Sequence, residues 1–186
     1  QFLLLTREER VDPRSLKGSY AGAMGIAQFM PSSYRAYAAD GTGDGKRDLW
    51  SWNADVFASI ANYFTEHGWQ RGQPVLAEAR HDAPPDDPAR AEAVLKDSVA
   101  SLRERGYRFD TPLPADAPAM LVPAAQRAGT DWRVGFQNFY TITRYNRSLL
   151  YAMAVNDLAD AIEKRYRESA PARAAGPHAP ATPAAP

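Results

Sequence analysis

The sequence predicts a mainly helical α+β protein, and three observations support this prediction. Apolar side chains recur at helical spacing in residues 54–67 and again in residues 150–162. The segment between them contains many prolines and only short candidate elements. Of the 186 residues, 45% are hydrophobic and 24% are charged, which is the balance of an ordinary globular protein. The chain is therefore long enough for one domain with a small inserted subdomain.

The charge and cysteine content narrow the classes of function. Lys and Arg together number 22, and so do Asp and Glu, so the formal net charge is zero. A neutral chain lacks the basic excess that a broad nucleic-acid surface requires, and we expect no nucleic-acid partner. No apolar run reaches the ~20 residues needed to span a bilayer. The absence of cysteine excludes disulfides and thiolate chemistry, and nothing in the sequence indicates an organic cofactor.

The first clear helical pattern covers residues 54–67. Asp55 lies in its first turn and Gly68 just after its end, which matches the charge and glycine preferences of helix termini. Five apolar residues at spacings of three and four are predicted to form its buried face: Val56, Phe57, Ile60, Tyr63 and Phe64.

Proline-rich segments at 81–88 and 111–118 divide the chain into three predicted blocks, which cover residues 1–70, 71–130 and 131–168. The middle block is predicted to be a small inserted α+β subdomain, because its candidate elements are short. These elements are a strand at 74–79, a helix at 89–105 and a strand at 119–122.

The third block is predicted to return to the helical core, since its last helix carries a periodic apolar face. That face consists of Leu150, Met153, Ala154, Leu158, Ala161 and Ile162. The final segment, 169–186, is rich in alanine and proline and offers nothing large to bury. We therefore predict that it is a disordered tail.

The most distinctive segment is Gly18–Tyr34, in which three glycines lie within eight residues. Glycine permits positive φ angles and a close approach of backbone to a ligand. Neutral hydrogen-bonding side chains, among them Ser19 and Gln28, alternate here with aromatic rings. This mixture suits an uncharged, hydroxyl-rich ligand such as a sugar. A glycine-rich element packed between helices explains the same residues, and composition alone leaves both interpretations open.

A second motif, Asp40–Asp48, has the spacing of an EF-hand calcium loop. Oxygen-bearing side chains occupy positions one, three, five and nine, which are Asp40, Thr42, Asp44 and Asp48. Glycine occupies position six, where the chain turns sharply, and the main-chain carbonyl of Lys46 occupies position seven. An all-oxygen ligand set without nearby His or Cys favours Ca²⁺ over Zn²⁺. The alternative is an Asp/Gly-rich turn that binds no metal.

Residues Gly18–Tyr34 and Asn138–Asn146 resemble the signature of the lytic murein transglycosylase B family. The resemblance continues at residues 37–40, 61–69 and 151–155. These enzymes cleave bacterial peptidoglycan and have a lysozyme-like helical core. The resemblance therefore implies such a core with a small inserted α/β subdomain and an EF-hand-like loop over residues 40–55. It also implies that the partner is the glycan strand of peptidoglycan.

The resemblance implies a periplasmic location and, for the full-length form, an outer-membrane lipoprotein. We expect a monomer. The family's metal loop is longer than a usual EF-hand loop and closes with an aspartate, which identifies Asp55 as the last calcium ligand. In this sequence Ser51 stands where an EF-hand loop carries its closing glutamate.

The resemblance also assigns roles to individual side chains. Ser19 and Gln28 match positions that hydrogen-bond the sugar near the cleaved bond, and Tyr63 matches a pocket tyrosine. A third group borders the catalytic acid of the family and comprises Tyr145, Asn146 and Tyr151. For each of these aromatic residues, core packing is the alternative interpretation.

The family's reaction uses a single glutamate. It protonates the glycosidic oxygen between N-acetylmuramic acid and N-acetylglucosamine, then accepts the proton of the muramoyl C6 hydroxyl, which yields a 1,6-anhydro product. The family's Glu-(Ser/Thr)-X-X-Gly motif does not occur in this sequence. Glu8 and Glu9 precede the signature, but they lie between Arg7 and Arg10 in a self-compensating run of charges typical of a solvated cluster.

We therefore assign no catalytic residue and expect the acid upstream of Gln1. Two other classes of function stay open. One is a non-catalytic module that binds peptidoglycan, and the other is a calcium-responsive interaction protein.

Overall fold

The computed structural model describes residues 1–51, 53–81, 91–126 and 129–174. The chain divides into two compact units, Gln1–Pro74 and Val75–Pro186. The three blocks inferred from the proline-rich segments stay a prediction. The segment 81–88 falls almost wholly outside the described residues.

In its described residues, the first unit contains three helices joined by long loops: α1 (Phe2–Glu8), α2 (Pro31–Tyr37) and α3 (Ala54–Glu66). The predicted helix over 54–67 is confirmed, because Asn53 caps its start by accepting hydrogen bonds from the N–H groups of Asp55 and Val56. Gly68, with a φ angle of 86°, follows its end. The predicted buried face is wrong for Phe57, whose side chain is 63% exposed, whereas Val56 and Tyr63 are buried.

The second unit contains an antiparallel five-stranded sheet with the strand order β2-β4-β5-β1-β3. The strands are β1 (Leu76–His81), β2 (Asp97–Ser98), β3 (Tyr107–Arg108), β4 (Pro118–Gln126) and β5 (Gly129–Gly135). Helix α4 (Val99–Glu104) lies between β2 and β3 in the chain, and α5 (Gln137–Tyr145) and α6 (Leu149–Ala174) follow β5.

The sheet buries apolar residues on both faces. One face packs with α4 in a core cluster that includes Val99, Leu102, Leu121, Trp132 and Val134. On the other face, a Cβ atom added to Gly135 would lie 2.7 Å from the ring of Phe139 on α5, so glycine permits this close approach. The strands therefore carry apolar residues on both faces, and periodicity alone does not separate such short apolar runs from a buried helix.

Two predicted elements of the middle and third blocks are shorter or of another type than expected. The helix predicted for 89–105 begins only at Val99, because the Ser98 hydroxyl accepts a hydrogen bond from the Ser101 N–H and the Ser101 hydroxyl accepts one from the Ser98 N–H. Asp97 and Ser98 instead pair with β4. Residues 131–135, predicted to belong to a helical block, lie in β5.

Helix α6 differs from its prediction in burial. Its buried side chains are Ala152 and Met153, near its start, whereas Leu158 is 61% exposed. The predicted buried face is therefore wrong for the other members, which are exposed: Leu150, Ala154, Leu158, Ala161 and Ile162. The helix continues to Ala174, which is six residues into the predicted tail, and residues 175–186 lie outside the described part. Within the described ranges, no helix combines the length and the apolar character that crossing a membrane demands.

Candidate functional site

The glycine-rich signature forms a compact turn in the first unit. Met24 is bridged on one side to Gly18 and on the other to Phe29. The Ser19 N–H donates to the Ala23 carbonyl (2.8 Å), and the Ser19 hydroxyl accepts from the Ala23 N–H (3.1 Å). Gly18, Met24 and Phe29 thus form one small β-ladder with Met24 in the middle. Ser19 follows Gly18 in the chain, and Gln28 precedes Phe29.

Gln28 is held in an unusual backbone conformation. Its φ angle is 50°, in the left-handed region that non-glycine residues rarely adopt. Its side-chain Nε2 donates to the Gly25 carbonyl at 2.8 Å. A Cβ atom added to Gly25 would lie 2.4 Å from the Leu49 carbonyl oxygen, so only glycine fits beneath the turn. The turn thus presents an exposed Gln28 in one fixed orientation at a conformational cost, a combination common at functional sites.

Tyr63 on α3 is brought to the signature through ring contacts. Its ring centroid lies 5.7 Å from that of Phe29 and 5.0 Å from that of Tyr37, and it stacks on His67 at 4.0 Å. Only 8% of its surface is exposed. Most of the Tyr63 side chain therefore serves packing, and little of it is accessible to a ligand.

Tyr145, Asn146 and Tyr151 lie in the second unit, where α5 ends and α6 begins. Asn146 is exposed, and its Oδ1 accepts a hydrogen bond from the Ser148 N–H at 3.0 Å. The Ser148 hydroxyl accepts from the Tyr151 N–H at 3.2 Å. Ser148 therefore links Asn146 to Tyr151, a role that the sequence analysis missed. The Asn-X-Ser spacing, typical of an Asx turn, was the available signal.

The predicted metal loop gathers three carboxylates. Oxygen atoms of Asp40, Asp44 and Asp55 all lie within 4.8 Å of one another. Asp40 accepts hydrogen bonds from the N–H groups of Gly43, Asp44 and Gly45. These donors, above all Gly45, hold the pKa of Asp40 below its ordinary value, so the carboxylate is charged at neutral pH.

Asp55 closes this loop from the first turn of α3. Its Oδ1 accepts from the N–H groups of Gly41 and Thr42, and its Oδ2 accepts from the Asp48 N–H, each at 2.9 Å. Burial raises the pKa of Asp55, but the donated hydrogen bonds outweigh burial and leave this pKa below the ordinary value. The charged Asp55 carboxylate is therefore hydrogen-bonded both to the start of the loop, at Gly41 and Thr42, and to Asp48 further along it.

The other two predicted ligand residues lie in the same loop. The Thr42 hydroxyl donates to Asp40 Oδ1 at 3.2 Å, and the Lys46 N–H donates to Asp44 Oδ1 at 2.9 Å. The Lys46 side chain is exposed. Four carboxylates and several oriented N–H groups thus shape this loop, since Asp48 also accepts from the Trp50 N–H at 2.8 Å.

The two glutamates that precede the signature are both paired with arginines. Arg35 donates from Nε and Nη2 to the two oxygens of Glu8 at 2.8 and 2.7 Å, and Arg47 donates to Glu9. The hydrogen bond from Arg35 holds the pKa of Glu8 below its ordinary value. A general acid needs a raised pKa to keep its proton near neutral pH, so Glu8 has the opposite environment.

Comparisons with known proteins identify the family of this chain. Residues 1–160 match the model of the transglycosylase SLT domain family. The chain therefore belongs to the transglycosylase SLT domain family. The SLT-domain chain is 45% identical over 163 residues to the membrane-bound lytic murein transglycosylase B of Escherichia coli K12. That match covers 87% of this chain and 44% of the relative.

Solved structures of SLT-domain relatives share the fold. The Escherichia coli lytic transglycosylase Slt35 in complex with calcium matches with a TM-score of 0.79 and 44% identity over 88% of this chain and 51% of that chain. Pseudomonas aeruginosa SltB3 in complex with NAG-NAM-pentapeptide matches with a TM-score of 0.71 and 35% identity over 87% of this chain and 44% of that chain. The chain thus spans about half the length of the relatives it matches.

We expect the Glu8–Arg35 ion pair to make a small, pH-dependent contribution to the stability of the folded SLT-domain chain. Because the folded-state pKa of Glu8 is lowered, its contribution is present above the ordinary carboxyl pKa of about 4.3 and is lost as the pH falls through the lowered value. We expect Glu8→Gln to reduce the melting temperature by a few degrees at pH 7 and to have no effect near pH 2. An equal reduction at both pH values, measured by circular dichroism, would contradict this role.

Proposed function

We propose that this chain binds the glycan strands of peptidoglycan as part of a lytic transglycosylase. The reaction is cleavage of the β-1,4 bond between N-acetylmuramic acid and N-acetylglucosamine with formation of a 1,6-anhydromuramoyl end. The family match over residues 1–160 carries the proposal, and the relatives are lytic murein transglycosylases. The exposed, conformationally fixed Gln28 supports it, because a rigid amide binds a neutral sugar without an ordering cost.

The proposed saccharide-binding residues are all uncharged, as an uncharged ligand requires. Ser19 and Gln28 bind the sugar near the cleaved bond, and Asn146 orients an N-acetyl group. The Gln28 Oε1 and the Asn146 Nδ2 have no hydrogen-bond partner in the part of the chain that the structure describes, so one acceptor and one donor are available. Three tyrosines are also proposed to contact the sugar, by stacking on a sugar face or by holding a hydroxyl: Tyr63, Tyr145 and Tyr151.

The catalytic acid is proposed to lie outside these 186 residues. The reaction needs one carboxyl group that keeps its proton, and the motif that carries it in the family does not occur here. Glu8 and Glu9 are both ion-paired with arginines, and the hydrogen bond from Arg35 holds the pKa of Glu8 below its ordinary value. We therefore expect that the chain alone releases no anhydro-muropeptide from purified peptidoglycan. Release at a rate comparable to that of a full-length relative would reassign the acid to Glu8 or Glu9.

Saccharide binding is tested by isothermal titration with a NAG-NAM disaccharide. Gln28→Ala and Asn146→Ala are each expected to weaken binding by about 3- to 10-fold, the loss typical of one hydrogen bond. Gln70→Ala, an exposed glutamine outside the signature, serves as the matched control and is expected to change nothing. Equal affinity in the Gln28 variant and the unmodified chain would contradict the proposed site.

We also propose that the loop over residues 40–55 is an EF-hand-like site for a structural Ca²⁺ ion. The ligands are the carboxylates of Asp40, Asp44 and Asp55, the side chain of Thr42 and the main-chain carbonyl of Lys46. The clustering of carboxylate oxygens within 4.8 Å supports this, and a related structure is a complex with calcium. The ion would neutralise the carboxylates and hold the loop after the signature in place.

A non-catalytic glycan-binding module is the second candidate function, and the ion-paired Glu8 and Glu9 favour it for the chain taken alone. If the protein is such a module, the full-length protein is expected to bind the same saccharide without cleaving it. In either case we propose a periplasmic monomer, outer-membrane-anchored in its full-length form, without a nucleic-acid partner or an organic cofactor.

A further inference from the structure

Tyr20, in the glycine-rich signature of the first unit, is fully exposed. Among the described residues, the next most exposed large hydrophobic side chains are Leu3 and Leu150, at 73% each. Tyrosine is on average partly buried, because its ring is largely apolar. A fully exposed ring contributes no packing to the first unit, so a role in the fold does not explain the presence of Tyr20 at this position.

The backbone that carries Tyr20 is held by hydrogen bonds on both sides. The Gly22 N–H donates to the Ser19 carbonyl at 2.8 Å, which closes a tight turn around Tyr20. Ser19 is also bonded twice to Ala23, through its N–H and its hydroxyl. A ligand therefore has only the two side-chain torsions of Tyr20 to fix, which keeps the entropic cost of binding low.

The surroundings of Tyr20 are apolar and uncharged. No charged residue occurs between Gly18 and Tyr34, although 24% of the whole chain is charged. Met30 is 42% exposed, and its methyl carbon lies 3.9 Å from the position that a Cβ atom would take on Gly22. The faces of a sugar ring present C–H groups, whereas its hydroxyls lie around the edge. An exposed aromatic ring in a neutral setting therefore suits stacking on a sugar face.

Tyr20 and Gln28 lie towards opposite ends of the β-ladder. Met24 is bridged to both Gly18 and Phe29, so two inter-strand steps of about 4.8 Å each separate these outer residues. Both bridges are antiparallel, and the two outer segments therefore run in the same direction. Because Tyr20 follows Gly18 and Gln28 precedes Phe29, their side chains are too far apart to contact the same sugar ring.

We propose that Tyr20 stacks on a sugar of the glycan strand next to the one that Gln28 binds. Tyr20 thereby makes the site selective for strands longer than a disaccharide. The contact is made by the ring face, and the phenol hydroxyl is not required. The inference rests on the proposed function and deepens it, because it assigns a side chain to a second sugar of the same strand.

The test compares the affinities for the NAG-NAM disaccharide and for the tetrasaccharide NAG-NAM-NAG-NAM by isothermal titration. We expect the unmodified chain to bind the tetrasaccharide about 3- to 10-fold more tightly than the disaccharide. Tyr20→Ala is expected to abolish this difference and to leave the affinity for the disaccharide unchanged. Its melting temperature should match that of the unmodified chain, since the side chain is fully exposed.

Two further variants separate ring stacking from other effects. Tyr20→Phe keeps the ring but loses the hydroxyl, and it should bind the tetrasaccharide as tightly as the unmodified chain. Tyr166→Ala removes another exposed tyrosine, on α6 and outside the signature, and it should change neither affinity.

The inference is overturned if the unmodified chain binds both saccharides equally, or if Tyr20→Ala keeps the preference for the tetrasaccharide. An equal loss of both affinities in Tyr20→Ala, a lower melting temperature of that variant, or a lost preference in Tyr20→Phe would also contradict it. Any of these results leaves the saccharide site at Gln28 intact. Failure of the proposed function gives a different result, because the unmodified chain would then bind neither saccharide.

Discussion

Gly25→Ala is expected to lower the free energy of unfolding by about 2–5 kcal/mol. Two costs add at this position. Gly25 has a φ angle of 66°, where a Cβ atom is unfavourable, and that Cβ atom would lie 2.4 Å from the Leu49 carbonyl oxygen. The Leu49 oxygen also accepts the Ile26 N–H at 2.7 Å, so relief of the overlap breaks a hydrogen bond of the signature turn. Chemical denaturation followed by circular dichroism measures the loss.

Gly72→Ala is the matched control, because it has the same type of backbone conformation without the overlap. Its φ angle is 79°, and an added Cβ atom would meet nothing within 4 Å. We expect a loss of only about 1–2 kcal/mol there. Equal losses at Gly25 and Gly72 would show that the contact with Leu49 does not constrain the turn. Gly25→Ala should also reduce NAG-NAM binding, since the Gly25 carbonyl accepts the Gln28 side chain.

Calcium is expected to raise the melting temperature of the unmodified chain by about 5–10 °C at a free concentration 100 times its dissociation constant. The physical reason is that three carboxylates within 4.8 Å repel one another until a cation neutralises them. Asp44→Ala is expected to abolish the rise with little change in the absence of calcium, because Asp44 is exposed. Differential scanning calorimetry with calcium and with chelator measures both quantities.

Asp55→Asn separates the two roles of the buried carboxylate. The amide keeps one acceptor for Gly41 and Thr42, but its NH₂ group meets the Asp48 N–H, a donor facing a donor. We therefore expect a lower melting temperature even in chelator, together with loss of the calcium response. Asp116→Ala, an exposed aspartate outside the loop, is the control and should respond to calcium like the unmodified chain. A calcium response that survives Asp44→Ala would place the ion elsewhere.

Local patterns predicted several parts of the structure well. The apolar spacing of residues 54–67 and the glycine after them predicted α3, because capping and periodicity are properties of adjacent residues. The spacing of Asp40 and Asp44 predicted a metal loop, to which the family resemblance added Asp55, and the carboxylates of these three residues do come together. The signature residues predicted the family, which the comparison over residues 1–160 confirms.

Sequence patterns predicted burial and secondary structure less well where these depend on contacts with other parts of the chain. Leu158 and Ile162 continue a helical apolar period, yet they are exposed, because among the side chains of α6 that the structure describes only those near its start are buried. Residues 131–135 form a strand because they pair with β4, the strand before them, and with β1, which is distant in the chain. The helix predicted for residues 89–105 begins only after Ser98, because Ser98 and Ser101 form a capping box at its N-terminus.

The sequence by itself determined the family, the position of α3, the residues of the acidic loop and the neutral polar character of the signature. Each of these depends on residue type and short-range spacing. Only the tertiary structure decided that Gln28 adopts a left-handed conformation above Gly25, that Glu8 and Glu9 are ion-paired and that Arg80 lies opposite Arg108. Those facts depend on which backbone atoms and charges meet across tens of residues, and no local pattern encodes such distances.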